Sequence, residues 1–126
     1  MESINNKTIL ITGAAGFIGW ALSKRVCAEN PEARVIGFDS VNDYYDVRLK
    51  EYRLNELGQY SNFEFIKGNL ADKKLVSEVF QKYRPEIVVN MAAQAGVRYS
   101  IDLPDVYVES NIIGFFNILE ACRNYP

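Results

Sequence analysis

Thr8-Ile9-Leu10-Ile11-Thr12-Gly13-Ala14-Ala15-Gly16-Phe17-Ile18-Gly19 decides how this chain is read. Its first four residues form an unbroken β-branched and apolar run, the mark of a strand buried on both faces. After the turn, Phe17, Ile18, Ala21, Leu22, Val26 and Cys27 recur at helical spacing, which predicts a helix over 17–30 with these residues on its apolar face. The glycines between strand and helix have separate tasks. Gly13 can take the positive φ of a tight turn, Gly16 lets the backbone approach a pyrophosphate, and Gly19 lets the helix pack closely on its strand. The first helical turn then presents free N–H groups and a positive dipole end to an anion.

Glycine spacing alone is a weak signal, and its structural context makes it specific. Arg34 to Asp39 is a second buried strand, and Asp39 follows Gly19 by twenty positions. That is where a carboxylate accepts hydrogen bonds from an adenosine ribose. Strand, glycine turn, helix, strand and acid together imply a dinucleotide site. Asp39 would repel a 2′-phosphate, and the next cation in sequence is Arg48, so the expected cofactor is NAD rather than NADP.

Bulk properties exclude other classes. At 126 residues, 48% hydrophobic and 24% charged, the chain has room for one domain with a sizeable core. A net charge of −2 offers no general attraction to nucleic acid or an anionic membrane. There is no histidine, which rules out a His-based triad or a His-containing metal site within these residues. Cys27 and Cys122 lie on apolar faces of predicted helices and read as buried free thiols, as expected in a reducing cytoplasm. No run reaches transmembrane length, and the first residues lack the apolar core of a signal peptide.

Beyond Asp39, the polar stretch Ser40 to Asp46 reads as a loop, with Asp46 capping a helix over 47–57 that Gly58 closes. Arg48, Lys50, Glu51, Arg53 and Glu56 are mixed in sign and read as a solvated face of that helix. A third strand is expected over 62–67. A helix over 73–83 comes next, capped by Asp72, with Leu75, Val76, Val79 and Phe80 inward. Pro85 ends it, and 86–93 forms a fourth strand centred on Ile87-Val88-Val89. The last element is a helix over about 105–123, with Val106, Ile112, Phe115, Phe116, Leu119 and Cys122 as candidate core. Such alternation implies an α/β fold: a partial Rossmann fold whose parallel sheet of about four strands, order 3-2-1-4, carries helices on both faces. The loops after the four strands then share one rim.

At these loops the sequence resembles the extended short-chain dehydrogenase/reductases that act on nucleotide sugars. The spacing Gly13-x-x-Gly16-x-x-Gly19 is that group's form of the glycine fingerprint. Asp39-x-x-Asn42-Asp43-Tyr44-Tyr45-Asp46, Ala92-Ala93-Gln94-Ala95-Gly96-Val97-Arg98-Tyr99-Ser100 and Ser110-Asn111-Ile112-Ile113-Gly114 are most similar to the UDP-glucuronate 4-epimerases. The resemblance covers essentially the whole chain. It implies that Gly13, Gly16, Phe17 and Ile18 hold the NAD pyrophosphate, that Asp39 holds the ribose, that Gly19 and Ser40 beside them belong to the cofactor site, and that Asn42, Asp43 and Tyr44 close over the adenosine. It places Asn69 and Leu70 beside the adenine, Met91, Ala92, Ala93 and Gln94 toward the nicotinamide, and Ser110 near the cofactor. Arg98, Tyr99 and Ser100 would face a UDP-sugar, an anion suited to an arginine.

Two departures from the pattern are visible. Asn69 stands where the family usually has aspartate, so an amide oxygen replaces a carboxylate, a difference of about 1 kcal/mol. Asn90 stands where histidine is common. The family's chemistry further needs a tyrosine with lysine four residues on, and none of the eight tyrosines here has one. That tyrosine would take the proton from the sugar 4-hydroxyl as hydride passes to the nicotinamide, leaving a 4-keto sugar that turns over and receives the hydride on its other face. No catalytic residue is therefore assigned, the remaining strands and the substrate domain are expected to be missing, and the chain alone is expected to be inactive. With strand 4 at an edge, self-association through that strand or the last helix is expected. A non-catalytic NAD-sensing module and the same part of a sugar-nucleotide decarboxylase or dehydratase are the alternatives.

Overall fold

The unbroken apolar runs become the two central strands of a parallel sheet. The computed structural model describes residues 4–41, 47–92 and 104–126. Its elements are β1 (Thr8–Thr12), α1 (Phe17–Glu29), β2 (Arg34–Asp39), α2 (Val47–Leu57), β3 (Phe63–Lys67), α3 (Lys73–Tyr83), β4 (Ile87–Asn90), α4 (Pro104–Val108) and α5 (Gly114–Asn124), with a π-turn over Glu109–Ile113 before α5. The strand order is β3-β2-β1-β4, all pairs parallel, as the alternation of elements requires.

Period-two alternation divides the core between the two sheet faces. Leu10, Ile36 and Phe38 join Val76, Val79 and Phe80 of α3 and Ile118 of α5. Ile9, Ile11 and Val35 point the other way, toward Cys27 of α1. Burying each of these large side chains contributes about 1.5–3 kcal/mol before chain entropy is counted. Asp72 caps α3 as expected, its side chain accepting from the Leu75 N–H at 3.1 Å. Arg84 ends α3 in the left-handed region at φ 49°, and Pro85 follows.

Two helix faces differ from the expectation. The buried stripe of α1 is Gly19, Ser23 and Cys27, while Phe17 and Ile18 are 68% and 62% exposed. The reason is steric: α1 starts so close to the β1 turn that a Cβ at Gly19 would run into the Gly13 carbonyl, and only small side chains fit that contact. In α5 the inward face is Gly114, Asn117, Ile118 and Ala121. Ile112, Phe115, Phe116 and Leu119, expected in the core, are exposed. They follow i, i+3, i+4, i+7 spacing, so this segment has two apolar faces, and periodicity alone does not say which one meets the sheet. Cys122 is half-buried beside the inward face, and Val106 belongs to α4.

Candidate dinucleotide-binding site

Parallel register brings the C-terminal strand ends to one rim, with Thr12 level with both Phe38 and Asn90. Gly13 comes next at φ +71°, and its N–H donates to the Phe38 carbonyl at 2.7 Å. A Cβ there would lie 2.8 Å from the Met91 carbonyl carbon and 2.9 Å from the Ala92 nitrogen, so the backbones of β1 and the β4 end meet with no room for a side chain. Gly16 caps α1 in extended conformation without a side-chain hydrogen bond, and the first turn carries no acid. The first-turn N–H groups thus lack both an intrahelical acceptor and a capping side chain. A pyrophosphate fits that arrangement.

Three other elements hold the turn in place. Asp39 at the end of β2 is 6% exposed. Its Oδ2 accepts from the Ala15 N–H at 3.0 Å, and its Oδ1 accepts from the Val41 N–H at 2.7 Å. Lys50 Nζ lies 3.5 Å from the same Oδ1, in an ion pair whose two side chains are almost wholly buried. Arg53, one turn further along α2, donates to the Ala15 carbonyl at 3.0 Å, and its guanidinium lies 5.7 Å from the ring centres of Phe17 and Trp20. The solvated-face reading of α2 is therefore corrected at these two positions. Lys50 and Arg53 turn inward because Asp39 offers a carboxylate, Ala15 a carbonyl, and Phe17 and Trp20 aromatic faces. The premise that no cation stands near Asp39 is corrected with it: Lys50 is eleven residues away in sequence and adjacent in space.

On the β4 side, Thr12 is fully buried, and its hydroxyl donates to the Asn90 side-chain oxygen while accepting from the Ala92 N–H at 3.1 Å. Asn90 thus ties β4 to β1 directly under the rim. Sequence reasoning assigned no role to Thr12, Lys50, Arg53 or Asn90. A polar residue ending an apolar strand is the signal that could have singled out Thr12.

The β3 rim carries the remaining described positions. Asn69 is exposed, and its side-chain oxygen accepts from the Ala71 N–H at 2.9 Å. Leu70 turns its side chain into the core, and its carbonyl accepts from buried Asn117 Nδ2 at 2.7 Å, so any contact it makes with a ligand is through its backbone. Ser40 and Met91 are exposed at the rim, and Ala92 is half-buried. Asn42, Asp43, Tyr44, Asp46, Ala93, Gln94, Arg98, Tyr99 and Ser100 lie outside the described residues, as does the side chain of Ser110, whose backbone belongs to the π-turn. A cavity of about 460 Å³ lined by Phe80, Arg84, Val88, Cys122, Tyr125 and Pro126 opens toward the start of β4, away from this rim. Both cysteines are free, and burial pushes the Cys27 thiol up to about 11. No helix among the described residues is long and apolar enough to cross a membrane.

Residues 10–126 match the family model described as GDP-mannose 4,6 dehydratase. The chain is 54% identical over 117 residues to protein CapI of Staphylococcus aureus, covering 93% of this chain and 34% of that protein. It is 42% identical over 116 residues to the UDP-glucuronate 4-epimerase of Thermodesulfobacterium geofontis, covering 92% and 35% respectively. Among solved structures, the UDP-glucuronic acid 4-epimerase of Bacillus cereus, in complex with UDP-glucuronic acid and NAD, superposes with a TM-score of 0.79 at 34% identity over 91% of this chain and 36% of that one. The chain spans about a third of the length of the curated relatives it matches. With the glycine turn, the 3-2-1-4 sheet and these matches in agreement, the chain belongs to the NAD-dependent epimerase/dehydratase family of extended short-chain dehydrogenase/reductases, of which it forms an N-terminal, Rossmann-like portion.

Proposed function

We propose that residues 1–126 are the NAD-binding part of a nucleotide-sugar epimerase that inverts C4 of UDP-glucuronate through a transient 4-keto sugar. The observation that carries this reading is the uncapped N-terminus of α1 set against a Gly13 turn too tight for any side chain. Such a turn leaves backbone N–H groups as the only donors and lets a pyrophosphate approach them closely. In this reading Gly13, Gly16, Phe17, Ile18 and Gly19 hold the pyrophosphate, and Asp39 with Ser40 takes the adenosine ribose. Asn42, Asp43 and Tyr44 cover the adenosine, Asn69 and the Leu70 backbone flank the adenine, and Met91, Ala92, Ala93, Gln94 and Ser110 serve the nicotinamide side. Arg98, Tyr99 and Ser100 face the UDP-sugar.

The bound nicotinamide would supply the hydride acceptor for a sugar hydroxyl, and these residues would orient it. Asp39 has three of its roughly four acceptor directions engaged by Ala15, Val41 and Lys50, which leaves room for one ribose hydroxyl. The UDP-glucuronate assignment draws on the relatives that carry that name, whereas the matching family model is named for a dehydratase, so dehydration of a sugar nucleotide is the second reading. The Tyr-x-x-x-Lys pair that either reaction uses is not in these residues, so the chain alone is inactive in this reading. It also includes self-association, through the β4 edge or the exposed apolar stripe of Ile112, Phe115, Phe116 and Leu119.

Calorimetric titration of the purified chain with NAD is the test. A saturable heat with one site per chain is expected. No heat at roughly millimolar NAD, a concentration that detects even binding of about −4 kcal/mol, would refute the binding reading for this chain.

A further inference from the structure

An aspartate at the end of β2 would ordinarily be taken to set dinucleotide preference by itself, through repulsion of a 2′-phosphate. Here Asp39 does not stand alone. Lys50 Nζ, carried on α2, lies 3.5 Å from Asp39 Oδ1, and both side chains are about nine-tenths or more buried. The neighbouring cations have other partners. Arg53 is bonded to the Ala15 carbonyl, and Lys24 pairs with Glu56 at 3.5 Å. Among the described residues, Lys50 is thus the cation paired with Asp39.

A ligand oxygen hydrogen-bonded to Oδ1 at about 2.8 Å can be no further than about 6 Å from that ammonium. At that upper bound the attraction of the ammonium for a 2′-phosphate offsets roughly half of the repulsion from the carboxylate, and more at any closer approach. We infer that Lys50 is a specificity-determining residue: Asp39 and Lys50 act as one near-neutral unit, and the lysine holds down the preference for a 2′-hydroxyl dinucleotide over its 2′-phosphorylated counterpart. This inference rests on the dinucleotide reading above. It adds that the preference is weaker than Asp39 alone would impose.

The experiment titrates NAD and NADP into the wild-type chain and into Lys50→Met, Lys50→Arg, Asp39→Ser and the Asp39→Ser/Lys50→Met double variant. The readout is the ratio of the two dissociation constants, with thermal unfolding recorded to confirm that each variant is folded. Lys50→Met is expected to raise the preference for NAD about tenfold, chiefly by weakening NADP, and Lys50→Arg to bring it back. Asp39→Ser is expected to bind NADP at least as well as NAD, and the double variant to lose that gain. Where Lys50→Met does not fold, the charge-balanced double variant compared with Asp39→Ser reads the same quantity.

A ratio unmoved by Lys50→Met, or a double variant that binds NADP as well as Asp39→Ser does, overturns the inference while leaving the dinucleotide reading intact. Binding of neither nucleotide by any of the proteins refutes the dinucleotide reading itself, and the inference falls with it.

Discussion

Replacing Gly13 by alanine is expected to cost about 3–4 kcal/mol of stability, because both the backbone angle and the available space are wrong for a side chain. The φ of +71° is in the left-handed region, where an L-residue costs about 1–2 kcal/mol. The new Cβ would stand 2.8 Å from the Met91 carbonyl carbon and 2.9 Å from both the Met91 oxygen and the Ala92 nitrogen. All three are backbone atoms, so no rotamer change relieves the overlap. Relief requires the end of β4 to move away from β1, and that movement stretches the Met91 N–H bond to the Thr12 carbonyl at 3.2 Å and the Ala92 N–H bond to the Thr12 hydroxyl at 3.1 Å. Each is worth about 1 kcal/mol. The sum is a large share of the roughly 5–15 kcal/mol that holds a domain folded. Urea denaturation followed by fluorescence of Trp20, the single tryptophan, measures it, since that ring lies against Lys24 and Arg53 beside the turn. Gly58→Ala is the internal control. Its Cβ would meet only the Leu54 and Asn55 carbonyls at 3.4 and 3.5 Å, and its φ is not left-handed, so it should change stability by less than about 1 kcal/mol. If Gly13→Ala proves as mild as Gly58→Ala, the close β1–β4 approach is not what the turn depends on, and the steric reasoning fails.

The exposed stripe on α5 predicts self-association: light scattering of the chain at high concentration should give at least a dimer mass, and Phe116→Asp should reduce it. A monomer mass throughout would remove the proposal, and association that survives Phe116→Asp would assign the contact to the β4 edge. Cys27 predicts an alkaline limit. Its folded thiol is raised from the usual 9.0 to about 11, so its contribution is complete below pH 9 and is lost as pH rises from 9 toward 11. The stability difference between the wild type and Cys27→Ala should shrink by about 2 kcal/mol over that interval, and a difference independent of pH would show that the thiol is not held in its neutral form.

Much of this architecture was legible because it rests on short-range signals. Thr8 to Ile11 and Arg34 to Asp39 carry the β-branched and apolar runs of buried strands, Asp72 stands where it can cap the helix that begins at Lys73, and Gly13 announces a turn before a helix. The illegible part depends on which of two available surfaces an element meets. Phe17 and Ile18 fall on a helical stripe with Val26, yet the tight contact at Gly19 turns them outward. Phe115 and Phe116 are as apolar as Ile118, and the choice between their faces is made by the sheet and not by the pattern. Lys50 and Arg53 resemble any exposed basic residues on a mixed helix until the fold brings them against Asp39 and Ala15, eleven and thirty-eight positions away. Charge alternation along a helix reports composition and carries no information about the surface opposite it.

The same contacts explain how a turn of small residues keeps one shape. Ala14, Ala15 and the three glycines of residues 13–19 have almost no side chains with which to hold themselves, and glycine loses the most freedom on ordering. The turn is held from outside on three sides. Asp39 and the Phe38 carbonyl take the N–H groups of Ala15, Gly13 and Ala14; Arg53 takes the Ala15 carbonyl; Thr12 and Asn90 secure the β4 end against which Gly13 rests. These bonds satisfy the inner backbone groups of the turn and leave those at the start of α1 free. The entropy of ordering the loop is thereby met by folding and need not be met again by a ligand, which is the condition for donors without side chains to bind an anion well. Asp39 holds the turn and faces the ligand at once, and Lys50 is its buried ionic partner, so substitutions at either position should change both stability and nucleotide preference.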